Sequence, residues 1–575
     1  MSEAEASSYP PIDPVNFDLI IVGTGLSESV IAAAASAVGK TVLHLDPNSF
    51  YGSHFASLPL DEFASFLNSH SVPPDRTASL STLTTAAALN DQNDDNNLVA
   101  VDLIQQTLYS DVEIFSCASE NENWLRENSR KFNLDLGGPR ALLCADKSID
   151  LLLKSGASQY LEFKGIDANL VYEANGKLVN VPDSRAAIFK DKSLGLTEKN
   201  QLMRFFKLVQ QHLAASSENH NDGNGHERGE SYKISEEDLE SPFVNFLEKM
   251  RLPPNIKSIL MYAIAMADYD QENSEICKDL LKTRHGIDRL ALYNSSVGRF
   301  PNAPSALIYP IYGEGELPQA YCRRAAVKGC IYVLRMPVVS LLLDKSTGHY
   351  KGVRLASGQD LYSDQLILDP SFTIPTPLPS SPTDFPLERI QILSQKDVKG
   401  MVARGICATQ SSIKPDVPNC SVVYPPRSLY AEQVTSVRAL QIGSNLAVCP
   451  SGTFVLYFSA LCDDVNEGKK LLQAAMNALL MLPDSANPES IPTVQIETGN
   501  TKPVVLWRAC YVQEVTTIKF ESISSTPTPD GKLNYNDLLD MTEKLFHQMY
   551  PDKEFFPETT SPEDPTDDND LTLES

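Results

Sequence analysis

The apolar positions of this chain change period along its length, and those changes mark out its elements. Phe17-Asp18-Leu19-Ile20-Ile21-Val22 is a short apolar run that predicts a buried strand. Gly23-Thr24-Gly25-Leu26-Ser27-Glu28 follows at once, and the Ala-rich stretch Ser29 to Val38 predicts a helix. Thr41 to Asp46 predicts a second strand that closes on an acid. Strand, glycine turn, helix and strand in this order form the dinucleotide-binding βαβ arrangement. Further on, Val171 to Glu173 and Lys177 to Val181 flank Asn175-Gly176, a tight-turn signal that predicts a hairpin.

After Pro182 the period becomes helical. Leu202, Phe205, Phe206, Val209 and Leu213 share one helix face, as do Phe243, Phe246 and Leu247. Ser241-Pro242 reads as a cap followed by proline at the first helical position. Pro253-Pro254-Asn255 opens another helix, with Ile256, Ile259, Leu260 and Ile264 on one side. Residues 296–369 return to strands and glycine turns, and 401–515 alternate strands with a helix at 467–482.

The pattern predicts a flexible arm over 1–16 and an α/β portion over 17–182 with a polar insertion at about 75–108. A smaller helical domain follows over 183–295, with a disordered loop at 214–232. A second α/β portion spans 296–550, with a proline-rich loop at 370–395, and an acidic tail occupies 551–575. The fold class is α/β: a multi-sheet domain of the FAD- or dinucleotide-binding type with an inserted helical domain.

Charge narrows the function. Forty-eight Lys and Arg against 74 Asp and Glu give a net charge of -26 over 575 residues. Nucleic-acid binding needs a concentrated basic surface, and anionic membranes repel such a chain. The ten cysteines contain no C-x-x-C pair, so a zinc ribbon or dithiol site is not expected. The N-terminus lacks a signal-peptide pattern and no run of 18 apolar residues occurs, so a soluble cytosolic protein is expected.

The glycine turn is incomplete. Gly23 and Gly25 supply the tight turn and the close approach of a pyrophosphate, but Glu28 occupies the position of the third glycine. Asp46 stands where an acid binds ribose. The reading is a retained fold without a tightly held cofactor. A nucleophile elbow, a P-loop and an H-E-x-x-H motif are absent. The segment Tyr309 to Arg324 holds two glycines, two prolines, Glu316 and Arg323 seven residues apart. Two readings stand: a structural loop with a surface ion pair, or a protein-recognition patch with Arg and Tyr as anchors.

Four blocks then carry a resemblance: Asp18 to Glu28, Gly39 to Gly52, Tyr293 to Phe300, and Tyr309 to Arg323. The sequence resembles the family of Rab GDP-dissociation inhibitors and Rab escort proteins, over roughly residues 17–60, 130–370 and 400–530. The resemblance implies a fold similar to FAD-dependent monooxygenases and oxidases, put to use on small GTPases without catalysis and without a cofactor. It implies a Rab-binding platform at Tyr51, Glu316 and Arg323, with two further positions at Ile331 and Val333, where inhibitors tend to carry threonine and methionine. It implies that the helical domain lies near the prenyl group or the prenyltransferase. Phe205, Phe206, Phe243, Phe246 and Ile259 are the candidates there, against the plainer reading that they fill the domain's own core. The implied partners are GDP-bound Rab GTPases, the Rab geranylgeranyltransferase α/β heterodimer, the geranylgeranyl group of the product and, transiently, a membrane. The extra length at 75–108, 214–232, 370–395 and the tail points to the escort branch rather than the recycling branch.

Overall fold

Strand Asn16–Val22 is central to the first sheet because it is apolar on both faces. It pairs in parallel with Val42–Asp46 on one side and Asp360–Leu368 on the other. The sheet runs Ile331–Leu334, Val42–Asp46, Asn16–Val22, Asp360–Leu368, Tyr350–Leu355, Val338–Asp344, Leu98–Asp102, with Ser524–Ser525 added beside Asp360–Leu368. Helix Leu26–Ala37 starts directly after Gly25. Helix Glu316–Val327 packs on it, with Ser29 Oγ 3.2 Å from Cys322 Sγ. These features come from a computed structural model, which describes residues 9–71, 97–116, 120–182, 195–218, 233–374, 395–483, 502–520 and 523–557.

The second sheet runs Leu178–Asn180, Ala168–Tyr172, Cys420–Tyr424, Val437–Gly443, Phe454–Cys462, Gln395–Thr409, Val505–Lys519, Tyr109–Ser116. Its hairpin partners Leu170↔Asn180 and Tyr172↔Leu178 meet across the expected Asn175-Gly176 turn. Helix Val465–Leu479 lies against this sheet. The Asp464 side chain accepts from the backbone N–H groups of Asn466 and Glu467, fixing its start.

The helical run comprises Leu196–Glu218, Glu236–Glu240, Phe243–Lys249, Pro254–Ser258 and Thr283–Ser296, with a π-helical turn at Ile259–Ile264. Pro242 is the cap itself rather than the first helical residue. The run does not close a core of its own. Phe205, Phe243, Leu247 and Leu260 belong to one apolar cluster with Tyr457 and Trp507 of the second sheet. Amphipathic helices bury their apolar faces on whatever faces them, and here that is the sheet.

Three segments are more ordered than their composition predicts. Ile12 is buried, and its backbone exchanges hydrogen bonds with the Gln359 side chain at 2.9 and 2.7 Å, so the arm is pinned before residue 16. Leu98–Asp102 of the polar insertion completes the first sheet beside Val338–Asp344. Phe555 and Phe556, counted in the acidic tail, are buried in the cluster that holds Tyr321 and Phe546. In each case a few apolar side chains outweigh polar neighbours, which a compositional reading averages away. Residues 75–96, 219–232, 375–394 and 558–575 of the expected loops and tail lie outside the described residues.

Candidate functional site

The turn after the first strand is occupied by the protein itself. Gly23 has φ +98°, and a Cβ placed there would lie 2.4 Å from the Cβ of Asp369. A Cβ at Gly25 would lie 2.5 Å from Oε2 of Glu28, whose Oε1 accepts a hydrogen bond from the Thr526 hydroxyl. Asp46 is buried and fully used: Oδ2 accepts from Thr24 N at 2.9 Å and Thr24 Oγ1 at 2.6 Å, and Oδ1 accepts from Asn48 N at 2.8 Å. Burial lifts Glu28 to about 8, helped by the neighbouring charge of Asp369. Burial also raises Asp46, to about 6. Burial pushes Asp369 the same way, but the adjacent His54 and hydrogen bonds from His54, Ser371 and Ser53 outweigh it and hold the carboxyl below its usual range.

These residues do not fit a dinucleotide. The pyrophosphate approach is filled by two carboxyl groups, and the acid that should hold ribose instead holds Thr24 and Asn48. Purified protein should therefore show no flavin absorption band, and a stable yellow complex with one flavin per chain would contradict this.

Glu28 also has a consequence for stability. Its folded pKa is raised, so between its ordinary value of 4.5 and about 8 the folded state keeps a proton that the unfolded state releases. Stability then falls as pH rises through that window, and the loss is complete above the folded value. Glu28→Gln keeps the shape and an acceptor for Thr526. We expect its melting temperature to fall less than that of the wild type between about pH 5 and pH 9. Parallel melting curves across that range would exclude Glu28 as the source.

A second constellation lies on helix Glu316–Val327. The loop that feeds it is held from beneath: Asp135 Oδ1 accepts from Glu314 N at 3.0 Å, and Ser57 Oγ accepts from Gly315 N at 2.8 Å. Gly313 has φ +109° and no room for a side chain, since a Cβ would lie 2.4 Å from Ser57 Oγ. Leu317, Ala320, Tyr321, Cys322 and Ala325 face the core. Glu316, Gln319 and Arg323 face outward, as a spacing of three and four requires.

Glu316 and Arg323 share this face, as expected, but no direct ion pair joins them among the described contacts. Burial raises the Glu316 carboxyl, opposed by the charge of Arg323. Gln319 Nε2 donates to Glu316 Oε1 at 3.2 Å, and the Arg323 guanidinium lies 5.9 Å from the Tyr160 ring centroid. Arg324 turns away from this face to lie against Gly156.

Tyr51 reaches the same region through a ring. Its centroid is 5.9 Å from that of Tyr332, edge to face, and Tyr332 lies 4.8 Å from His44. Tyr332 belongs to edge strand Ile331–Leu334 and packs with the helix-side cluster. Ile331 and Val333 pack with the cluster of Leu43 and Leu45 on the opposite face, because successive strand residues alternate. The structure thus brings Tyr51, Glu316 and Arg323 to one side of the sheet and leaves Ile331 and Val333 on the other. Tyr332 escaped the sequence reading, although strand alternation between Ile331 and Val333 was the signal for it.

The aromatic candidates of the helical run are placed differently. Phe205, Phe243, Phe246 and Ile259 are buried in the principal core, and Phe206 packs half-buried against it. Four of the five therefore serve packing, and the expectation of a lipid- or enzyme-facing patch is corrected for them. Their faces are apolar because the second sheet and neighbouring helices cover them.

Comparison with known proteins adds to this geometry. The family model described as GDP dissociation inhibitor matches residues 14–81 and 91–482. Rab escort protein 1 of Arabidopsis thaliana is 57% identical over 561 residues, covering 97% of each chain. The Rab proteins geranylgeranyltransferase component A of Drosophila melanogaster is 27% identical over 96% of this chain and 92% of its own. Among solved structures, the Rab GDI of Plasmodium falciparum aligns with a TM-score of 0.63 at 18% identity, over 94% of this chain and 99% of that one. That likeness carries the fold, and with it the α/β multi-sheet architecture. On the match of its family model and on its identity with the plant protein, this chain belongs to the GDP dissociation inhibitor family.

Proposed function

We propose that this chain is a Rab escort protein. It binds newly made, GDP-loaded Rab and presents it to the α/β Rab geranylgeranyltransferase. It then carries the lipidated product through the cytosol to a membrane. The observation that supports this most is the 57% identity to Rab escort protein 1 over nearly the whole of both chains. Glu316 and Arg323 on the outward side of helix Glu316–Val327, with Tyr51 against Tyr332 of the edge strand, offer residues of the right kind, an arginine and aromatic rings on rigid elements.

The role needs no nucleophile in this chain. The transferase makes the bond, and the escort holds the substrate close enough for its C-terminal cysteines to be found. Preference for GDP follows from the partner, whose switch segments are ordered by the γ-phosphate and loosen without it. After transfer the escort must shelter the isoprenoid, since exposing apolar chain to water costs about 0.8 kcal/mol per CH₂. Among the described residues no helix is long and apolar enough to cross a membrane.

A second reading, a recycling inhibitor, draws on 25% identity to an Arabidopsis guanosine nucleotide diphosphate dissociation inhibitor over 79% of this chain. Calorimetry separates the two. An escort binds unprenylated GDP-loaded Rab tightly, whereas an inhibitor gains most of its affinity from the attached lipid. Tight binding to prenylated Rab alone would favour the inhibitor.

A further inference from the structure

Ten large apolar side chains stand exposed among the described residues, and two of them flank the Glu316–Arg323 pair. Tyr312 is 56% exposed and is the aromatic of the ten; Val327 is 57% exposed. Tyr312 precedes helix Glu316–Val327 by one short turn, and Val327 is its last residue. Arg323 and Val327 are four apart, and Glu316 and Arg323 seven apart, so one face carries all three. The face is about 18 Å long at the helical rise of 1.5 Å per residue.

Tyr312 is held out rather than loose. Its backbone has φ +76°, a conformation that a bulky residue rarely adopts. Tyr312 N donates to Leu446 O at 2.9 Å, and the next residues are clamped on Ser57 and Asp135. The neighbouring Ile311 packs against the core while Tyr312 points to solvent. Backbone strain that leaves an aromatic ring uncovered does nothing for packing. It does supply a contact that is already ordered before a partner arrives.

We infer that Tyr312 and Val327 are the two apolar ends of the surface that receives the protein body of the GTPase, with Arg323 between them. This rests on the escort reading above. The occupant follows from continuity with Arg323 and from charge. Arg323 is exposed, its charge reaches the Glu316 carboxyl of its own face, and it joins no ion pair among the described residues of a chain whose net charge is -26, so its guanidinium is open to an acid on the partner. Apolar contacts at both ends of that pair exclude water from it, which is where a buried arginine gains most.

The test uses the full chain and calorimetry with unprenylated, GDP-loaded Rab. Tyr312→Ala and Val327→Asp should each weaken binding about tenfold or more. Tyr312→Phe should bind as the wild type does, because the ring makes the contact. Val327→Ser gives the same direction without adding a charge at the helix end. Val398→Asp, at an equally exposed apolar residue of the second sheet, should have no effect. If Arg323→Ala weakens binding while the Tyr312 and Val327 variants bind like the wild type, the inference is wrong and the escort reading stands. If Rab binding is unchanged in all of them, Arg323→Ala included, this surface is not the Rab site and the inference falls with it. If they instead lose binding to the transferase or lose self-association, with Rab affinity intact, the surface has a different occupant and the inference is overturned.

Discussion

Arg323→Ala should bind GDP-loaded Rab at least about 30-fold more weakly while its melting temperature stays that of the wild type. The argument starts from what Arg323 does in the free protein. It is exposed, it lies over the Tyr160 ring, and it joins no ion pair among the described residues. The fold therefore loses little when the side chain is cut back. The packing of helix Glu316–Val327 rests on Leu317, Ala320, Tyr321, Cys322 and Ala325, which the substitution leaves alone. On the escort reading, the same guanidinium would be covered in the complex and paired with an acid of the partner. Removing one member of such a pair costs about 2–5 kcal/mol, much of it from the charge left behind. Arg323→Lys should recover only part, because an ammonium cannot form the two parallel hydrogen bonds of a guanidinium. Unchanged affinity in Arg323→Ala would remove this residue from the site.

Much of this surface was legible in the sequence because its determinants are local. The run Phe17 to Asp46 specifies strand, turn, helix and strand through adjacent residues, and all four form as read. Glu316 and Arg323 fall on one face because helical spacing alone puts them there. The filled turn was half legible. Glu28 is visible as a missing glycine, but Asp369 and Thr526 reach it from positions more than 300 residues away. No pattern near Gly23 announces them.

The platform positions Ile331 and Val333 came from resemblance, and strand alternation sets them on the face away from Tyr51. The helical run was read correctly as helical, yet its phenylalanines could not be assigned to core or surface from periodicity. A helix shows which face is apolar, not what covers it. Phe205 and Phe243 turn out to share a core with Tyr457 and Trp507 of a distant sheet. The acidic run is expected to stay unfolded beyond about residue 556, and just at that limit Phe555 and Phe556 anchor to the Tyr321 cluster against the trend of their neighbours.

On the escort reading, the largest effect expected of this protein is on a transfer that the transferase carries out. On that reading, the transferase must find the C-terminal cysteines of a Rab that this protein holds for it. A component that binds both turns that search into an intramolecular one, and effective concentrations of this kind raise apparent affinity by about 10²–10⁴ without any new contact at the cysteines. Such a component needs a Rab surface that works before lipidation, and the proposed one at Tyr51, Glu316 and Arg323 is made of this chain's own polar and aromatic side chains. Cutting the chain after residue 557 should leave most of the effect, since the anchoring Phe555 and Phe556 and the whole of helix Glu316–Val327 are retained.

The most direct measurement is the initial rate of geranylgeranyl transfer in a mixture of unprenylated GDP-loaded Rab, the α/β transferase and geranylgeranyl diphosphate, with and without this protein. The escort assignment predicts transfer near background without it, a rise of about two orders of magnitude or more with it, and loss of that rise in Arg323→Ala. Transfer that stays at background with the full chain present, together with binding to prenylated Rab alone, would contradict it.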